Sequence, residues 1–446
     1  MNIVLLSGGS GKRLWPLSND TRSKQFLRLL KNEEGEYESM VQRVYRQITT
    51  VCPDSGIVVA TGASQVDSIQ NHLGGQVDIV IEPERRDTFP AIALSSAYLA
   101  MEKKVPLDEV VLVLPVDPYV EIGYFETLVK MEKAVQDGVA DILLMGITPT
   151  YPSAKYGYIV PKNGELVHDA RPVARFTEKP TEEKAKILLE DGAVWNGGVF
   201  AFKLGYMMEI VKKYCDCTTY KELLGNYSSF KKISFDYEVV EKAESVAMIP
   251  YDGEWKDLGT WNTLTEVMDS EYMGNATIGE NTTGTNVINE LSIPVVVLGA
   301  TDLIVAASPD GILISDKNKS SYLKSYVDHI GERPMFEERT WGEAKIIDLN
   351  QYEGSKKSIT KRLSMKSGQS LSYQKHTVRD EIWTFVAGTG DLLIDGHMRN
   401  VHPGDVAYIH KGQKHSVRAI TDLHFIEVQI GEELAINDVE YSNWEW

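Results

Sequence analysis

The sequence predicts an α/β protein with two β-rich additions. An open, mostly parallel sheet is expected over residues 1–269, a small β-rich linker over 270–340 and a β-barrel over 341–446. Three observations lead there. Up to about Met268, short apolar runs rich in Val and Ile alternate with helical patterns. From Gly274 the texture turns to Gly, Asn and Thr without helical period. After Trp341, strand-like runs are separated by Gly-containing turns.

Taken in order, "NIVLLS", "SGIVVATG", "VDIVIEP", "EVVLVLPVD" and "ADILLMGI" are the strands of the first part. Their continuous apolar character fits strands buried on both faces, as in a parallel sheet. Ala91 to Lys103 and Tyr124 to Gln136 read as helices between them. In such a sheet ligands sit beyond the carboxyl ends of the strands. The linker holds "GNATIGENTTGTNVI" and "IPVVVLGATDLIVAASPDGILISDK", short strands joined by tight turns. "KSITKRLSMKSGQSLSYQKH", "DEIWTFVAGTGDLLIDG", "GDVAYIHKG" and "LHFIEVQIG" are the barrel strands.

Bulk properties narrow the function. The chain has 446 residues, 25% of them charged, and a formal net charge of -18. That charge disfavours nucleic acid and anionic membrane as partners. No apolar run is long enough for a membrane span, and the first residues read as a buried strand rather than a secretory leader. Three cysteines, Cys52, Cys215 and Cys217, argue for reduced thiols and a cytoplasmic location.

Directly after the first strand comes "SGGSGKRLWPLSNDTRSKQF". Its glycines allow a tight turn and close approach of backbone amides to a phosphate. Arg13 can grip phosphate oxygens as a fork and Lys24 can act as a point charge. The spacing is not that of a P-loop.

This stretch resembles the signature GGxGxRLWPxS…PKQF of the sugar-1-phosphate nucleotidyltransferases, in the mannose-1-phosphate guanylyltransferase branch, with Ser23 in place of proline. Further segments resemble the family in order: "EPERRDTFPAIAL", "LPVDPYV", "GITPTYPSAKYGYI", "FTEKP", "WNGGVF", "SFDYEVVEK" and "WKDLGTW". The resemblance implies a Rossmann-like nucleotidyltransferase domain. It implies transfer of a nucleotide from GTP to α-D-mannose 1-phosphate, giving GDP-mannose and pyrophosphate. A sugar phosphate is already nucleophilic, so the protein has to align two anions and neutralise their repulsion. A triphosphate calls for Mg²⁺.

By the same resemblance, Asp117 and Asp257 are the Mg²⁺ ligands, and Arg13 and Lys24 hold the triphosphate. Gly8, Gly9 and Gly11 shape the nucleotide loop, with Arg86 and Asp87 beside it. Lys179 anchors the sugar phosphate, Glu178 accepts from sugar hydroxyls, and Asn196 and the backbone at Gly157 and Tyr158 complete the sugar site. Asp236 is a further candidate there. Asp87, Phe89 and Pro118 depart from the family pattern in the region expected to meet base or phosphate. Asp87 could accept from guanine or pair with Arg86.

The last part has its own signature. Gly368, Gln374, His376, Glu381 and Gly388, then Gly404, His410, Gly412 and His415, resemble the two cupin motifs. Gln374, His376, Glu381 and His415 would supply a mixed N/O site for Zn²⁺ or another divalent transition metal. Chains joining these parts resemble bifunctional enzymes that also isomerise mannose 6-phosphate, but Val378 and Ile382 replace two histidines of that pattern. Other readings are another sugar phosphate or base, or a non-catalytic nucleotide-sugar sensor. Retention of Lys24, Asp117, Lys179 and Asp257 argues against the sensor. The expected partners are GTP and a sugar 1-phosphate, with self-association into a homo-oligomer left open.

Overall fold

The structure, a computed structural model, describes residues 1–9, 12–19, 21–162, 166–330, 333–435 and 437–446. The chain forms two compact units, one of Met1–Ser10 with Gln25–Gly259, the other of Gly11–Lys24 with Thr260–Trp446.

The first unit is built on a nine-stranded sheet. Its order is Asp78–Glu82, Gly56–Gly62, Asn2–Ser7, Val110–Pro115, Val194–Lys203, Ile142–Ile147, Val246–Tyr251, Arg171–Thr177, Tyr158–Pro161. The first four run parallel. Val194–Lys203 is antiparallel to both neighbours, and Ile142–Ile147 pairs parallel with Val246–Tyr251. The mostly parallel sheet read from sequence is therefore two parallel blocks with an antiparallel strand between them, closed at one edge by the antiparallel pair Arg171–Thr177 and Tyr158–Pro161.

Successive side chains of a strand point to opposite faces. Ile3 and Leu5 enter one core and Val4 the other, and Leu112 and Val113 divide in the same way. Helix Thr88–Met101 is apolar all round and almost wholly buried, as such a helix must be. Helix Ile122–Gln136 packs Phe125, Leu128 and Met131 into the opposite core.

In the second unit, Tyr272–Gly274, Asn286–Asn289 and Leu303–Ser308 stack as one parallel ladder. Ala276–Ile278 and Val295–Val297 form a second. Strands alternate between ladders, so the β-rich linker is a short coil. Phe336–Arg339 and Gly342–Gln351 then form a hairpin that opens the last part. That part has a six-stranded and a five-stranded sheet, with Trp383, Phe385, Leu392 and Phe425 in its core.

Cys215 and Cys217 form a disulfide, Cα atoms 5.2 Å apart, where the sequence argument predicts free thiols. Cys52 is free and buried. Among the described residues no helix is long and apolar enough to cross a membrane.

Candidate functional site

Strand Asn2–Ser7 delivers the chain to Gly8 and Gly9, the latter at φ 150°, where a side chain would be strained. Buried amides hold this turn. Gln65 Nε2 donates to the Gly9 carbonyl, and Gln25 Nε2 donates to Ser7 Oγ and Gln65 Oε1, each at 3.2 Å. Gln25 and Phe26 of the "KQF" segment are buried, so their work is structural. Gly11 lies outside the described residues.

A cavity of about 270 Å³ adjoins the turn, lined by Leu6, Gly8, Gly9, Glu82, Arg86 and Asp87 among others. It gathers the described part of the nucleotide site expected from sequence. Arg86 pairs with Glu84 (2.7 Å) and donates to the Phe230 carbonyl (2.9 Å), so its partner is not Asp87. Asp87 sits at φ 72° and caps helix Thr88–Met101, accepting from the Thr88 amide at 2.8 Å. Phe89, expected near the ligand, is instead wholly buried against Tyr214 and Phe230, because the helix turns it into the core.

Sequence reasoning missed Glu82. It ends its strand inside the cavity, buried, and accepts from the Tyr227 hydroxyl at 2.7 Å. Burial holds its carboxyl above the ordinary glutamate range, and the Tyr227 bond offsets part of that. A carboxylate ending an apolar strand at "EP" was the available signal.

Pro118–Val120 and Trp255–Asp257 form an antiparallel ribbon with Asp257 directly opposite Pro118. Asp117 therefore stands one residue diagonal to Asp257, and both are partly buried. Two motifs 140 residues apart in the chain thus meet at the carboxyl end of strand Val110–Pro115.

The sugar-site candidates also converge. Asn196 Nδ2 donates to Asp236 Oδ1 (2.7 Å), and the Asn196 amide donates to the Gly157 carbonyl (2.8 Å). Lys179 Nζ pairs with Glu178 Oε1 at 2.6 Å. A Cβ on Gly157 would lie 2.4 Å from Glu178 Oε2 and 3.3 Å from Asn196 Cβ, so a side chain there would displace the Glu178 carboxylate. Burial, then the Glu178 charge, pushes Asp236 up to about 7. Burial opposes the charge on Lys179, but the bond to Glu178 together with the Glu178 and Asp236 charges outweighs it and raises its pKa. The Tyr158 ring is wholly buried, its hydroxyl bonded to Ser153 and Trp195, which leaves only its backbone for a ligand.

Arg13 and Lys24 belong to the second unit. Arg13 is exposed on the turn Lys12–Leu14, and Lys24 is partly buried. Their segment is pinned there. Trp261 Nε1 donates to the Trp15 carbonyl (3.1 Å), Ser308 Oγ to the Pro16 carbonyl (2.6 Å), and Arg22 forks onto Glu290 at 2.8 and 3.0 Å.

In the cupin part, the ligand atoms of His376, Glu381 and His415 lie within 4.8 Å of one another, and all three side chains are buried. Gln374 is the direct cross-strand partner of His415. His415 Nε2 is buried without a hydrogen bond, 3.4 Å from Glu381 Oε2. An orphaned imidazole nitrogen beside a carboxylate fits a divalent transition ion. Burial lowers the pKa of His376, which favours the neutral, ligating imidazole. Burial would raise Glu381, but the two histidines and Arg379 more than offset it and hold it ionised. Val378 is 40% exposed, and Ile382 alternates with the inward Glu381 and Trp383. Of the other polar groups near the signature, Lys361 reaches the buried Glu427 (3.5 Å), whereas the His410 side chain is 68% exposed.

Comparison with known proteins agrees with this architecture. Residues 2–272 match the family described as nucleotidyl transferase, and residues 296–443 match the mannose-6-phosphate isomerase C-terminal family. Mannose-1-phosphate guanylyltransferase of Salmonella montevideo is 30% identical over 98% of this chain and 97% of its own. Alginate biosynthesis protein AlgA of Pseudomonas putida is 30% identical over 98% of this chain and 94% of its own. A crystal structure titled mannose-1-phosphate geranyltransferase, from Thermus thermophilus, is 29% identical, with a TM-score of 0.61, covering 73% of this chain and 98% of that one. With one family spanning more than half its length and relatives aligned end to end, the chain belongs to the nucleotidyl transferases, in the long, two-part form of the mannose-1-phosphate guanylyltransferases.

Proposed function

We propose that the chain joins GTP and α-D-mannose 1-phosphate to give GDP-mannose and pyrophosphate. The observation that carries this reading is the short ribbon that brings the chain at Asp117 and the chain at Asp257 side by side. Two partly buried carboxylates are hard oxygen donors of the kind Mg²⁺ takes. When bound, the ion supplies charge neutralisation on the triphosphate.

The remaining work falls to the chain's own residues. A phosphate oxygen of the sugar phosphate bonds to the α-phosphorus as the bond to the β-phosphate oxygen breaks and pyrophosphate leaves. Lys179 would hold the sugar phosphate, and Glu178, Asn196 and Asp236 the sugar hydroxyls. Gly8 and Gly9 would let the nucleotide approach the backbone. Glu82 would read the base. Its carboxylate is an acceptor-only group in a 270 Å³ cavity. Guanine offers N1–H and the 2-amino group together to such an acceptor, and adenine does not. The cytoplasm, where GTP is supplied, is the location this chemistry requires.

His376, Glu381 and His415, with Gln374, would hold a divalent transition ion in the cupin part. The transferase needs no step there.

The test is a panel of nucleoside triphosphates and sugar 1-phosphates assayed for pyrophosphate release with Mg²⁺. GTP with mannose 1-phosphate should give the highest kcat/KM. A preference for UTP, dTTP or ATP would overturn the assignment of the base, and a preference for glucose 1-phosphate that of the sugar.

A further inference from the structure

The cupin ligand set holds a cation of its own. His376 Nδ1 lies 2.5 Å from the Asp438 carbonyl oxygen. A carbonyl only accepts, so Nδ1 carries the hydrogen, and Nε2 presents its lone pair to a terminal nitrogen of Arg379 at 3.2 Å, which only donates. That lone pair faces Glu381 Oε1 at 3.1 Å. Two acceptors at this distance, both buried, call for positive charge against them.

Arg379 supplies it. Its Nε donates to Glu381 Oε1 at 3.0 Å, and a terminal nitrogen reaches His376 Nε2 at 3.2 Å. The guanidinium is always charged and only donates. Its side chain is 7% exposed, and a buried arginine is tolerated only when paired. Its other terminal nitrogen donates to the Ala435 carbonyl (3.3 Å) and lies 3.5 Å from Asp438. Asp438 in turn accepts from the Thr377 and Val378 amides at 2.9 and 3.3 Å.

We propose that Arg379 is the resident cation of this ligand set and competes with a divalent ion for His376 and Glu381. The inference rests on reading His376, Glu381 and His415 as metal-ligating. An ion bound to His376 Nε2 and Glu381 Oε1 uses the lone pairs Arg379 now uses. Two like charges at that spacing in a buried site also repel strongly. Metal uptake therefore requires Arg379 to leave. Leaving also frees the Ala435 and Asp438 contacts, so uptake loosens that segment. His415 Nε2, the ligand that Arg379 does not satisfy, is the atom at which an incoming ion can begin.

The experiment uses the full chain and Zn²⁺ alone, titrated against a chromogenic chelator, with bound zinc counted by elemental analysis. Arg379→Met should bind about one zinc per chain at least about tenfold more tightly than the wild type, which is about 1.4 kcal/mol. Arg379→Lys keeps a charge but not the fork and should bind with intermediate affinity. The added substitution His376→Ala should abolish the gain of Arg379→Met. In the wild type, saturating zinc should speed hydrogen exchange at the Thr377 and Val378 amides. Equal zinc affinity in wild type, Arg379→Lys and Arg379→Met would overturn the competition while leaving the metal reading standing. Zinc binding in none of them would sink both.

Discussion

Asp236→Asn isolates one buried ionisation. The carboxyl ionises at about 7 in the folded chain against an ordinary 3.8, first because it is buried and next because Glu178 is near. Asn196 and Lys179 act in the opposite sense without overcoming this. An acid whose folded pKa is raised supports the fold below its unfolded pKa and loses that support as pH rises to the folded value. From 3.8 to about 7 the loss amounts to at most about 4 kcal/mol, and it is constant above. About 1.5 kcal/mol has gone by pH 5, which leaves about 2.5 kcal/mol between pH 5 and pH 8. For a unit of this size that is about 5–10 °C in melting temperature. Asparagine does not titrate, and its carbonyl still accepts from Asn196. Thermal unfolding followed by tryptophan fluorescence from pH 5 to pH 8 should show the variant gaining on the wild type by that amount, with the gain flattening above pH 7. Parallel melting temperatures across the range would refute the reasoning.

Asp117→Asn and Asp257→Asn should each cost at least about 100-fold in kcat at saturating Mg²⁺, with the melting temperature kept, because charge is lost and shape is not. Gly157→Ala puts a Cβ 2.4 Å from Glu178 Oε2, so KM for mannose 1-phosphate should rise about tenfold or more while KM for GTP holds. Glu82→Gln should shrink the preference for GTP over ITP by about 10–100-fold in kcat/KM, since the charged acceptor for the 2-amino group is gone. Gly311→Ala should lower stability by about 1–3 kcal/mol in denaturant titration, because the residue sits at φ 152° and its Cβ would meet the Trp15 ring at 2.5 Å.

Sequence alone determined the alternation of apolar strands and helices, and with it the class of fold. Runs such as "VVLVLP" are legible because burial on both faces removes polar residues from every position. It also determined which residue types the chemistry uses, since the motifs are short and local. The strand through Asn196 was not legible as antiparallel, because its "NGG" interrupts the apolar run and the register shifts there. Nor was Glu82, whose meaning comes from a cavity closed by segments distant in the chain. Pairing Asp117 with Asp257 required a ribbon between strands 137 residues apart, counted from Pro118 to Trp255. Only tertiary structure decided that Phe89 is core, that Tyr158 offers its backbone alone and that Arg379 stands against His376 and Glu381. Patterning along a chain records which residues are buried. It does not record which lone pair or hydroxyl faces which, because that depends on close contacts between segments far apart in sequence.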